Sequence, residues 1–305
     1  MIFRGNDMYN ESEIYFVHEI FTPAYEREGT SYISLMHVPG DVNLAMNPEF
    51  VNEYDYSGPI ITENLTRTEG LIEGSFVRYR EDGNRFEIAN DTPIAQRYIQ
   101  ISTELRQQLR DKYVEPTRQN DDGISKICSY HINVGHGNFS VITFLQSKIV
   151  HVWIVDASEK EISYLKQNNK RKTYRENWQS CFRQIKNDYG ISSFKVSKLF
   201  ITHTHYDHFS AINQLFVERY FSSDLEVWLN LYYDCNNPAY VGVLSTLKKI
   251  PNIHLVEPIC RNTRNHSVIR VLAPEARLYY MDKPSVGNIR VIQEKDANNA
   301  SVMLE

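Results

Sequence analysis

Apolar positions along the chain fall into two textures. Up to about residue 113, short apolar runs at Ile14–Ile20, Tyr32–Val38 and Ser75–Tyr79 alternate with turn-rich polar segments, which predicts a smaller, mostly β N-terminal domain over residues 1–113. That domain closes on a helix over residues 93–113. Its apolar positions Ile94, Tyr98, Ile101, Leu105 and Leu109 recur at spacings of three and four, behind Thr92 as a side-chain N-cap. Residues 114–125 are polar with Pro and Gly and read as a linker.

A second domain is expected over residues 126–305. Ile127–Val134, Val141–Leu145 and Ile149–Val155 form a meander whose first turn is Gly135-His136-Gly137-Asn138. A helix follows at Thr173–Tyr189, with Tyr174, Trp178, Cys181, Phe182, Ile185 and Tyr189 on one stripe, and then a strand at Val196–Thr202. Downstream come a helix at Phe209–Phe221, a strand at Glu226–Leu231, a helix at Tyr240–Ile250, and strands at Ile253–Val256 and Val268–Leu272. This alternation predicts an α/β fold. Residues 298–305 begin another strand with nothing after it, so the domain is expected to be truncated at its C-terminus.

Composition narrows the picture. A hydrophobic content of 42% and an aromatic content of 12% over 305 residues support a packed core and exclude a disordered chain. The net charge of −5, with both signs interspersed, excludes a domain-wide basic field. The run Lys166, Lys170, Arg171, Lys172, Arg175 and Arg183 reads as the solvated face of a helix. The first residues are polar and no window approaches the roughly 18 apolar residues of a membrane span, so a cytoplasmic protein without membrane contact is expected. Cys128, Cys181, Cys235 and Cys260 form no CxxC pair and read as reduced and structural. The tyrosines of the first domain, Tyr9, Tyr15, Tyr25, Tyr32, Tyr54 and Tyr56, suit an interface with a protein partner.

The candidate chemistry lies in Thr202-His203-Thr204-His205-Tyr206-Asp207-His208, at the carboxyl end of a predicted strand. Two histidines two residues apart on extended backbone point the same way and can converge on one ion. Asp207 and His208, where the strand turns into a helix, can reach a second ion nearby. Imidazole and carboxylate without thiolate favour Zn²⁺, with Mn²⁺ or Fe²⁺ as alternatives.

This stretch resembles the HxHxDH motif of the metallo-β-lactamase superfamily. HINVGHGNFSVI (131–142), WIVDAS (153–158), VIRVLAPE (268–275) and NNASVML (298–304) resemble strands of its competence-type DNA-uptake branch. The resemblance covers residues 127 to 305 and implies an αββα sandwich; residues 1–113 resemble no family. It also implies that His203 and His205 bind one metal and that Asp207 and His208 bind another. Asp156 and Thr202 would support these ligands from behind. Asp207 would act in catalysis, and water would be activated at a His/Asp-bound, dinuclear zinc site. A phosphodiester substrate, small-molecule or nucleic-acid, is implied. Thioester or lactone hydrolysis and a non-catalytic binding or assembly module are the alternatives.

The sequence departs from this pattern at Asn138, where the branch carries Asp, and at Glu275-Ala276, where many relatives carry Gly-His. No bridging Asp or late His follows, and His254 and His266 read as strand or loop residues. A fragment of a longer protein, or a degenerate site, would explain this.

Overall fold

The computed structural model describes residues 13–21, 32–49, 60–63, 70–80, 85–115, 123–135, 137–159, 171–232, 235–257, 271–273 and 303–304. Two sheets dominate these residues, in a mixed α/β architecture. His266, Cys260, Glu275-Ala276, Lys166 and Lys170 lie outside them.

The first sheet comprises β1 (Ile14–Phe21), β2 (Tyr32–His37), β3 (Ile60–Glu63), β4 (Phe76–Arg80) and β5 (Arg85–Ile88), in the order β3-β2-β1-β4-β5 and antiparallel throughout. A single turn of helix, α1 (Val42–Ala45), follows β2. The helix α2 (Pro93–Arg110) begins as predicted, with Pro93 in its first turn and the Thr92 hydroxyl accepting the Ala95 N–H. It ends at Arg110, three residues short of the expected limit.

The second sheet comprises β6 (Ile124–His131), β7 (Ser140–Gln146), β8 (Ile149–Val155), β9 (Val196–Ile201), β10 (Phe221–Leu229) and β11 (His254–Val256), in the order β11-β10-β9-β8-β7-β6. β6, β7 and β8 are the predicted meander, and β8 to β11 run parallel. The connecting helices are α3 (Arg171–Tyr189), α4 (Tyr206–Phe209), α5 (Ile212–Val217) and α6 (Pro238–Lys248). Two short strands, β12 (Val271–Ala273) and β13 (Met303–Leu304), pair antiparallel.

Side-chain alternation gives the second sheet two buried faces. On β8, β9 and β10 the residues Val152, Ile154, Leu199, Ile201, Val227 and Leu229 join one large cluster, while Trp153, Phe200 and Trp228 join a separate aromatic one. The large cluster also contains Ile14, Phe16 and Phe76 of the first sheet and Tyr98, Leu105 and Leu109 of α2. α6 is buried at every residue from Pro238 to Leu247, the pattern of a helix enclosed on all sides. A polar contact also ties the chain just past α2 to the second sheet. Tyr113 Oη donates to the Leu229 carbonyl at 2.6 Å and accepts the Leu231 N–H at 3.0 Å.

Of residues 209–221, expected as one helix, only Ile212–Val217 form one (α5), with Phe209 closing α4, and the strand expected at Glu226 starts at Phe221. Among the described residues no helix is long and apolar enough to cross a membrane.

Candidate metal centre

The parallel strands β8 and β9 end side by side, and the residues just past them form the site: Asp156 after β8 and Thr202-His203 after β9. Such carboxyl ends are where open parallel sheets place their ligands.

Asp156 is fully buried and sits at φ 54°, in the left-handed region that a short Asp side chain tolerates. Its Oδ1 accepts the Thr202 N–H at 2.7 Å. Its Oδ2 accepts the Thr202 hydroxyl at 2.7 Å, His208 Nδ1 at 2.8 Å and Asn138 Nδ2 at 3.0 Å. A buried carboxylate needs such a set of donors to offset its desolvation. Asn138, as an amide, donates a bond here that an ionised Asp at this position could not make.

These contacts fix where the protons sit. The Thr202 hydroxyl has one hydrogen and gives it to Asp156, so at 3.0 Å from His203 Nδ1 it accepts. His203 thus carries its hydrogen on Nδ1, and so does His208, whose Nδ1 faces Asp156. Both rings keep the Nε2 lone pair free, the tautomer a metal ligand needs. Burial, with His208 and His205 adding to it, pushes His203 down to about 2 and holds it neutral. Burial also pulls His208 down, but the hydrogen bond and charge of Asp156, with Asp207 behind them, carry it above the usual histidine value.

The spacing divides the ligand candidates into pairs. Two imidazoles on one tetrahedral zinc, with Zn–N bonds of about 2 Å, have ring centroids roughly 5 Å apart. His203 and His205 are 4.8 Å apart by this measure, whereas His203 and His208 are 3.9 Å apart, too close to share a tetrahedral ion. His208 Nε2 lies 3.8 Å from Asp207 Oδ2, a gap that one cation spans. Among the described residues no group of three or more His, Cys, Asp or Glu side chains is arranged to enclose an ion.

The loop carrying these residues is clamped from both sides. Asn138 N–H donates to the Asp207 carbonyl at 3.2 Å, Ala157 N–H to the His208 carbonyl at 2.8 Å, and Ala211 N–H to the Ala157 carbonyl at 2.7 Å. Gly137 permits this approach: a Cβ there would overlap the Asp207 carbonyl and lie 2.5 Å from Ser158 Oγ. Further along, the Ser210 hydroxyl accepts the Glu159 N–H at 3.0 Å, and the buried Glu159 carboxylate takes two bonds from Arg175 on α3, at 2.7 and 3.1 Å. His205 occupies the N-cap of α4 without a side-chain capping bond, so its ring does not serve the helix. Tyr206 is buried edge-to-face on Phe209, a packing role. His254 is exposed at the start of β11, away from this loop.

One residue at the site escaped sequence reasoning. His18 of β1 brings its ring within 5.8 Å of His205 and 6.4 Å of Tyr206, centroid to centroid. Burial, and secondarily His205, push it down to about 3. The signal was present as a skip in the alternation of β1: Tyr15, Val17 and Ile20 share one face, and His18 is the extra residue between Val17 and Glu19.

No family model matches the chain, and no curated protein matches it.

Proposed function

We propose that this chain is a metal-dependent hydrolase with a metallo-β-lactamase-type domain, close to the DNA-uptake branch and acting on a phosphodiester. The observation that carries this reading is the hydrogen-bond relay from Asp156 through Thr202 to His203, and directly to His208. It leaves the Nε2 lone pairs of both rings free, that of His208 at 3.8 Å from Asp207 Oδ2.

The donor set fits divalent zinc, with manganese or iron(II) as alternatives. His203 and His205 would hold one cation, and Asp207 and His208 a second. Bound cations would supply Lewis acidity and make water acidic enough to attack as hydroxide at neutral pH. The chain's own residues do the rest. Asp207 accepts a hydrogen bond from the attacking water and can take its proton on Oδ1, the carboxylate oxygen that does not face His208. Asp156, touching no substrate, keeps His208 in the ligand tautomer and pins Thr202. The Gly137-Asn138 turn holds the Asp207 backbone in place.

The test is metal analysis of the purified chain together with hydrolysis of bis(p-nitrophenyl) phosphate. Zinc uptake with turnover abolished by a chelator is expected, and His205→Ala should lose bound zinc and turnover together. Wild-type zinc content and turnover in that variant would reject the assignment.

A further inference from the structure

β1 carries a bulge at His18. Val17 pairs with Leu35 and Glu19 with Ser34, leaving His18 without a partner across the strand. Bulges re-aim side chains, and this one turns an imidazole from the first sheet toward the histidine loop that follows β9. The side chain is only 7% exposed, and its Nε2 has no hydrogen-bond partner among the described residues. An orphaned buried polar atom is costly, and its survival beside a candidate site calls for a ligand.

The other ring nitrogen identifies what kind of ligand. Asn237 caps α6 by accepting the Ala239 N–H on Oδ1 at 2.9 Å, which fixes its amide orientation. Its Nδ2 therefore points at Met36 Sδ, at 3.3 Å, and at His18 Nδ1, at 3.5 Å. Nδ1 faces a donor and so accepts, which places the single hydrogen of the neutral ring on Nε2. That tautomer cannot bind a metal through Nε2. It is the opposite of the one imposed on His203 and His208.

We propose that His18 is a substrate-positioning hydrogen-bond donor, its Nε2–H meeting an anionic oxygen, such as that of a phosphoryl group, bound beside His205. The ligand class rests on the hydrolase reading; the donor assignment rests on the contacts of His18 itself.

Two measurements decide it. In the metal-free, ¹⁵N-labelled chain, long-range ¹H–¹⁵N spectra should show His18 as the Nε2–H tautomer; the Nδ1–H tautomer would overturn the proposal. In the zinc-loaded chain, inorganic phosphate titrated calorimetrically should bind at least about tenfold more weakly to His18→Leu, the scale of a lost bond to a charged acceptor. His18→Gln, which keeps an N–H donor, should stay within about threefold of wild type. Bound zinc should be unchanged in both variants. Equal phosphate affinity in His18→Leu, or loss of zinc from it, overturns the donor role, the latter by making His18 a ligand. A wild type that takes up no zinc defeats the hydrolase reading on its own, and His18 then stands or falls on its tautomer.

Discussion

Asp156→Asn changes one atom of a fully buried side chain and leaves its shape intact, which makes it the sharpest probe of the site. Asn also tolerates the left-handed backbone at this position, where φ is 54°. With the amide oxygen kept against the Thr202 N–H, the new NH₂ group replaces an oxygen that now accepts from Thr202 Oγ1, His208 Nδ1 and Asn138 Nδ2. The Thr202 hydroxyl adapts by accepting from the amide and turning its own hydrogen toward His203 Nδ1. His203 must then move its proton to Nε2, and so must His208 if its Nδ1 is to accept. Both rings lose the lone pair meant for metal. Asn138 is left with a donor facing a donor.

An unmade bond at a buried polar group costs about 1–3 kcal/mol, so leaving Asn138 Nδ2 without its acceptor lowers stability by that much. Zinc affinity should fall by about 10- to 100-fold, the usual effect of removing a group that orients a ligand. Urea unfolding of the metal-free protein measures the first quantity, and competition with a chromophoric chelator the second. A variant within about 1 kcal/mol and about threefold of wild type would refute the relay.

Two further outcomes follow from the same geometry. Gly137→Ala must displace the Asp207 carbonyl or Ser158, so both the unfolding midpoint and zinc uptake should drop, and an unchanged variant would mean the turn is not clamped on the loop. For the metal-free chain, His203 and His18 are held well below the unfolded value of about 6.5, so unfolding takes up protons as pH falls. Their stabilising effect is complete above about pH 6.5 and is lost toward their folded values at up to about 1.4 kcal/mol per pH unit per ring. His208, shifted upward, acts in the opposite sense and stabilises the fold most below its unfolded value. Burial lowers His151 as well, so three described rings act against one, and a net loss on the order of 3 kcal/mol is expected between pH 7 and pH 5. Equal or greater stability at pH 5 by urea titration would contradict it.

How far the sequence could be read depended on whether a residue's partners lie near it in the chain. α2 was legible because Thr92, Pro93 and the stripe from Tyr98 to Leu109 are all local signals. Asp156 and the loop Thr202–His208 were legible because each follows an apolar strand directly. The stretch from Phe209 to Phe221 misled because Phe209, Ile212, Leu215 and Phe216 have helical spacing, yet Ala211 N–H is drawn off to the Ala157 carbonyl and Ser210 Oγ to the Glu159 N–H. Those partners lie some fifty residues upstream, and no local periodicity encodes them. The start of β10 was hidden for another reason. Ser222, Ser223 and Asp224 lie at its outer, partly exposed end, where polarity reads as loop.

His18 is the instructive case. Its segment, Tyr-Phe-Val-His-Glu-Ile, reads as a plain strand, and nothing in it predicts a neighbour in the loop that follows β9. The skip from Val17 to Ile20 on one face is nonetheless written in the sequence, since a regular strand would place Glu19 there. A buried polar side chain at such a skip is not needed by the sheet, which would tolerate an apolar residue better. Across the face it turns to lie Asn237, whose amide fixes its tautomer, and His205, beside which the proposed anion would sit.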